Sequence, residues 1–158
     1  MAYAIRPFRT EDAASLADLT LAAIRTVGSQ SYSSEQVDAW AARHPGPERF
    51  IERAGGGSHI FVAADDSDIP VAYSLLEPDG HLDMLYCHPK HTRRGLADQL
   101  LAVAEQTAIT LKTESLYTEA SELARPAFER AGYEVTQRRD FEIEGVAIHN
   151  YAMEKRLT

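Results

Sequence analysis

Between His59 and Cys87 the apolar residues stop recurring at helical spacing and run in short blocks bounded by turn residues. His59–Ala64 is followed by the turn Asp65–Asp68. The next block runs from Pro70 to Glu77 and is followed by Asp79-Gly80, a strong hairpin signal, and then by His81–Cys87. Connections this short cannot carry a crossover helix, so neighbouring blocks must pair antiparallel. The middle of the chain is therefore an antiparallel meander, and everything else has to pack on it.

The flanks read differently. Ala4–Phe8 is a short first strand, with Pro7 confining it to an edge or a strand end. Thr10 is a candidate N-cap for a helix whose apolar face is Leu16, Leu19, Ala23, Ile24 and Val27, ended by Gly28. Ser33 and Gln36 have capping-box spacing and open a second helix, bounded by Pro45 and Pro47. A further short helix at 47–53 is optional. After Cys87 the pattern becomes α/β: a helix at 95–109, a strand at 115–119, a helix capped by Ser121 and ended by Gly132, and a closing hairpin across Glu144-Gly145. The strand–helix–strand order implies a parallel pair.

A chain of 158 residues suits one domain, taken as 1–158. Its net charge of −8 argues against a nucleic-acid partner. It gives a cationic acceptor some support, although most surface acid is simply solvated. No apolar run is long enough to span a bilayer, which argues against a membrane partner. Cys87 is the only cysteine, so no internal disulfide forms, and the expected location is the cytoplasm.

The densest chemistry lies at 88–97. A strand ends, Pro89 stops the ladder, Arg93, Arg94 and Gly95 follow, and a helix starts. The first helical N–H groups lack internal partners and sit at the positive end of the helix dipole, which makes an anion site. Gly95 lets the backbone approach a phosphate closely, and Ala97 leaves room for it.

The frame Thr92-Arg93-Arg94-Gly95-Leu96-Ala97 resembles the first motif of the GCN5-related N-acetyltransferases, the GNAT superfamily, with Thr92 in place of Gln or Arg. The stretch from Ser121 through Ala124, Phe128, Glu129 and Gly132 to Tyr133 resembles the second motif of that family, and Asn150 to Lys155 resembles its last strand. The order of elements matches along the whole chain. The segment from Ser31 to Trp40 is similar to a bacterial YafP-like subgroup.

The resemblance implies an α+β GNAT fold. Its central sheet is mixed, with about seven strands: an N-terminal antiparallel meander, then a splayed parallel pair at strands four and five. About four helices flank it. It implies acetyl-CoA as co-substrate and no metal. It places pantetheine along Leu85, Tyr86 and Cys87, and the pyrophosphate against amides from Arg93, Arg94, Gly95, Leu96 and Ala97 to Asp98. Cys87 then packs beside pantetheine and is not a nucleophile. His88 and His91 belong to the helix start and not to a metal site.

Acetyl transfer to an amine needs a group that takes the ammonium proton and one that protonates the leaving thiolate. Relatives use a tyrosine for the second task where this chain has Phe128. The remaining phenols are Tyr133, Tyr117, Tyr86 and Tyr151. Tyr133 is an acid candidate, although it stands where relatives pack a core Phe and packing is its default role. His81 and Asp83 share a strand face where relatives carry a base. His81 reads equally as a cap on the Asp79-Gly80 turn. Asp83, an acid between Leu82 and Met84, reads as a site residue. Glu77 and Glu119 are weaker candidates. Tyr32 and Trp40 are expected to line the acceptor site. The expected activity is acetyl transfer to a primary amine of a small molecule, and the resemblance leaves room for a homodimer. The competing readings are a non-enzymatic acyl-CoA sensor and a protein acetyltransferase.

Overall fold

The computed structural model describes residues 2–26, 28–44 and 46–158. Val27 and Pro45, assigned above to a helix face and a helix boundary, lie outside them. The strands are β1 (Ala4–Pro7), β2 (His59–Ala64), β3 (Pro70–Leu76), β4 (Leu82–Cys87), β5 (Ser115–Ala120), β6 (Glu134–Ile143) and β7 (Val146–Arg156). The α-helices are α1 (Ala13–Thr26), α2 (Ser34–Ala42), α3 (Glu48–Gly55), α4 (Leu96–Thr110) and α5 (Arg125–Arg130). The expected count of about four helices becomes five, because the optional segment after Pro47 closes into α3. None of the described helices is long and apolar enough to cross a membrane.

The meander forms a sheet of order β1-β2-β3-β4, with β1 on the edge as Pro7 requires. A second sheet has order β5-β7-β6. The two meet through one parallel bridge, His81 opposite Tyr117. Strands β4 and β5 are thus parallel neighbours that part immediately. At the parting point the Thr118 hydroxyl, buried, donates to the Leu82 carbonyl at 2.7 Å. A side chain substitutes there for the next rung of the ladder.

Strand β3 is buried at every position after Pro70, because helices cover both faces of its sheet. On one face Leu16 and Leu19 of α1 pack with Ile60, Val62, Tyr73 and Leu75. On the other, Leu96 and Leu100 of α4 pack with Ala63, Val71 and Ala72.

Local chemistry explains most boundaries. The predicted Ser33 capping box forms: Ser33 Oγ accepts from Gln36 N at 3.1 Å, and Gln36 Oε1 accepts from Ser33 N at 2.9 Å. Thr10 does not cap α1. Thr10–Asp12 form a 3-10 turn, and buried Asp12 accepts from Arg9 N at 2.7 Å and from both Arg6 η-nitrogens at 2.8 and 2.9 Å. The bidentate Arg6 partner, six residues back along the chain, outweighs the local cap. Ser121 likewise starts a turn, and α5 begins only at Arg125 with Pro126 in its first turn. It ends at Gly132, where Gly132 N–H donates to Glu129 O and Tyr133 N–H to Phe128 O. Glu144 and Gly145 both take positive φ, 49° and 78°, so the closing hairpin turns as type I′.

Candidate active site

The divergence of β4 and β5 opens a cleft of about 250 Å³ running to the start of α4. Leu85, Tyr86 and Cys87 of β4 line it, as do Arg93, Gly95, Leu96, Ala97 and Asp98. All nine predicted cofactor contacts except Arg94 are thus brought together. The opposite wall, which has Leu123, Ala124, Pro126 and Ala127, comes from the segment after β5.

The loop holding Arg93 is shaped by two left-handed residues. Arg93 has φ 61° and Gly95 φ 76°, while Thr92 is extended. A non-glycine residue at positive φ is uncommon and costs energy, so Arg93 is held there by its surroundings. A Cβ built on Gly95 meets nothing within 4 Å. Glycine is thus needed for its backbone angle, and the space before it is open. Gly95 precedes Leu96 directly, so the unpartnered N–H groups of the first turn of α4 face that region. His88 caps the turn before it, accepting from Lys90 N at 3.1 Å, and His91 Nδ1 lies 2.9 Å from Tyr3 Oη. Burial pushes the Cys87 thiol up to about 11, so it stays protonated and is poorly suited to nucleophilic attack.

A second, larger cleft of about 770 Å³ adjoins the first. Trp40, Leu85, Tyr86, Ser121 and Ala124 line both. Asp83, Glu119, Tyr32, Phe128 and His149 line the second alone. Of the four phenols that sequence left open, only Tyr86 reaches the junction. Its hydroxyl lies 3.2 Å from His44 Nε2, and burial pushes its pKa well up. Burial pushes His44 the other way, toward the neutral ring. Tyr133 lines neither cleft. It is 3% exposed in the core beside Phe128, and its hydroxyl has no partner.

His81 and Asp83 do share a face, with Nε2 and Oδ1 3.9 Å apart. Their surroundings differ. His81 Nδ1 lies 2.6 Å from Glu77 Oε1, and Nε2 lies 2.8 Å from Glu119 Oε1. Its ring stacks on Tyr117 at 4.6 Å. Burial alone would lower its pKa, but the bonds to Glu119 and Glu77 outweigh that and raise it to about 9. Near neutral pH His81 is therefore a cation with both nitrogens engaged and no lone pair to accept a proton. Asp83 lies against the Arg53 guanidinium at 2.8 Å and lines the second cleft. Arg53 also lies 3.5 Å from Glu77. Glu77, His81 and Asp83 bring three ligand atoms within 4.8 Å of one another, but Arg53 and charged His81 already balance these carboxylates.

Two features escaped the sequence. Glu122 Oε2 lies 2.6 Å from His149 Nε2 and accepts from Tyr151 Oη at 2.9 Å. The His149 bond leads in holding the Glu122 carboxyl below its usual range. Tyr32 Oη completes the cluster, donating to His149 O at 3.1 Å and accepting from Glu122 N at 2.9 Å. Arg43, Arg49 and Arg139 also line the second cleft. Each is a single residue on a different element, with no motif to mark it.

Residues 29–155 match the family model described as the acetyltransferase (GNAT) domain. The chain is 31% identical over 150 residues to the uncharacterized N-acetyltransferase YafP of Escherichia coli (strain K12), covering 94% of this chain and 93% of that one. Its structure is similar to that of a GCN5-related N-acetyltransferase from Rhodopseudomonas palustris, also titled a class-II aminotransferase. That match has a TM-score of 0.88 and 33% identity and covers 99% of this chain and 97% of the other. The fold also matches PaiA N-acetyltransferase from Thermoplasma acidophilum, solved with coenzyme A (TM-score 0.79, 19% identity, 99% of each chain). A further match is phosphinothricin acetyltransferase from Sinorhizobium meliloti, solved with acetyl-CoA (TM-score 0.78, 15% identity, 99% and 89%).

Proposed function

Because this chain belongs to the GNAT acetyltransferase family, we propose that it moves an acetyl group from acetyl-CoA to a primary amine of a small molecule. The observation that carries the reading is the junction of the two clefts along β4. A donor laid along Leu85 and Tyr86 would present its thioester where the acceptor-side cleft begins. The residues fit a CoA tail. The left-handed Arg93 and Gly95 turn the backbone at the helix start, open space lies before Gly95, and β4 beyond Leu82 has no ladder partner on its cleft side. Arg93 to Asp98 would hold the pyrophosphate, and Leu85 to Cys87 the pantetheine. Two solved proteins of the same fold carry coenzyme A or acetyl-CoA, which supports the same donor here.

Acetyl-CoA supplies the activated acetyl thioester. The remaining work falls to the chain. Asp83, with Glu119 beside it, is our candidate to take the ammonium proton, directly or through a water. Arg53 orients Asp83, and His81, just before β4, ties that strand to Glu119 on β5 as a charged strut. Tyr86, which lines both clefts, is our candidate to protonate the departing sulfur. Burial keeps its hydroxyl protonated at neutral pH, and the same shift makes it a weaker acid than a free phenol. The second cleft lies within the roughly 300–1,000 Å³ range of small-molecule sites, which favours a small acceptor over a protein chain. Phosphinothricin acetyltransferase, of the same fold, gives a small-molecule acceptor further support.

The test is the release of free CoA thiol across a panel of primary amines, with the acetylated product checked by mass spectrometry. Turnover is expected with small amines. Tight acetyl-CoA binding without turnover on any amine, peptides included, would favour the sensor reading, and turnover confined to peptides would favour a protein acetyltransferase.

A further inference from the structure

The second cleft is charged in a way the whole chain is not. The protein carries 24 Asp and Glu against 16 Lys and Arg. A cleft wall sampled at random would lean acidic. This one is lined by Arg43, Arg49, Arg53 and Arg139 against Asp83 and Glu119. Arg53 is used internally, on Asp83 and Glu77. The other three form no ion pair among the described residues. Arg139 makes only a 3.3 Å bond to Asn150 Oδ1 and a cation–π contact with Phe141. Arg43 follows the end of α2 and Arg49 sits in the first turn of α3, so one short connection delivers both.

Register places the two poles of the cleft relative to each other. Glu119 pairs with Ala152 on β7, and Asn150, two residues along, pairs with Arg139 on β6. Directly paired residues, and residues two apart on one strand, share a sheet face. Glu119 and Arg139 are therefore on the same face, two strands across and two residues along, about 12 Å apart at their Cα atoms. With a glutamate and an arginine side chain both reaching into that space, a compact molecule bridges the remaining gap.

We propose that the acceptor amine also carries an anionic group, a carboxylate or a phosphonate, which Arg43, Arg49 and Arg139 receive while the amine lies toward Asp83 and Glu119. This reading rests on the acetyl transfer proposed above. It adds an anionic end to the cationic amine, for which the net charge gave only some support. Guanidinium forks match both anions in bidentate geometry. The apolar floor between the poles, with Phe128, Phe141 and Ile148, accommodates a hydrocarbon body.

The test compares matched amines at saturating acetyl-CoA: L-phenylalanine with phenethylamine, 4-aminobutyrate with butylamine, and 3-aminopropylphosphonate with propylamine. The anionic member of at least one pair is expected to have a kcat/KM about tenfold or more above its uncharged counterpart, as a charge-assisted contact implies. The carboxylate and phosphonate pairs separate the two anions. Arg139→Gln is expected to raise KM for that acceptor about tenfold with a smaller change in kcat. The triple variant Arg43→Gln, Arg49→Gln, Arg139→Gln should erase the preference. Unaltered acetyl-CoA affinity by calorimetry would show that the triple variant is folded. Equal or better turnover of the uncharged members, or a preference that survives the triple variant, overturns the proposal and leaves acetyl transfer standing. No CoA release with either member of any pair, or with any other amine, overturns both.

Discussion

A single residue, Gly95, opens the helix start at which the pyrophosphate is proposed to bind. Its φ of 76° lies where a side chain is strained, and its missing side chain leaves open space before the backbone. Gly95→Glu would fill that space and bring a negative charge to the phosphate position. It is expected to abolish acetyl-CoA binding, measured by calorimetry, while the far-ultraviolet circular dichroism spectrum keeps its shape; undiminished affinity would remove the loop from the donor site. Asp83 is a second residue-scale case. Asp83→Asn keeps the size of the side chain and removes the proton acceptor, so kcat should fall about a hundredfold with little change in acetyl-CoA affinity. Wild-type kinetics in that variant would take Asp83 out of the mechanism. The residue scale is also where sequence reading was most selective. Eight of the nine predicted donor contacts line one cleft because a motif keeps them adjacent in the chain. Tyr133, at a position where relatives pack a core Phe, is itself core, and sequence could not choose among the four phenols because it does not tell which way a ring faces.

At the scale of elements, the parting of β4 from β5 creates the site. The Thr118 hydroxyl caps the Leu82 carbonyl where the ladder stops. Thr118→Val would leave that buried carbonyl without a partner, at a cost of about 1–3 kcal/mol, read as a lower urea midpoint with an unchanged slope. Gly80 supports the same junction. A Cβ there would meet Ser115 O at 2.4 Å, so only glycine lets the β3–β4 turn approach β5 this closely. The Asp79-Gly80 signal was legible as a turn, but its role as the seat for β5 was not, because that contact lies across the fold. Likewise the capping box of α2 was readable from Ser33 and Gln36, whereas the start of α1 depended on Arg6, which capping rules do not consider.

For the whole molecule, two sheets are joined by one backbone bridge, and His81 clamps that seam through Glu77 and Glu119. Its pKa in the folded protein is raised from 6.5 to about 9. The clamp therefore contributes fully below about pH 6.5 and is lost as pH rises through about 9. Screening by solvent around the two half-exposed glutamates reduces the effect to about 1 kcal/mol. Urea unfolding between pH 6 and 10 is expected to show this decline, and His81→Gln should flatten it; an unchanged slope in that variant would show that the seam does not depend on the imidazolium.

The sequence by itself determined the order of elements, the antiparallel meander, the loop proposed to bind the donor and the family. All of these rest on local periodicity, turn chemistry and motifs whose residues are close in the chain. Tertiary structure decided that Asp83 and Glu119 line the second cleft, that Tyr86 is the phenol at the junction, that His81 is held between two carboxylates, and that three arginines from different elements converge. Those outcomes depend on side-chain direction and on partners brought in from distant segments. The surrounding field and burial that set a group's charge exist only once the chain is packed.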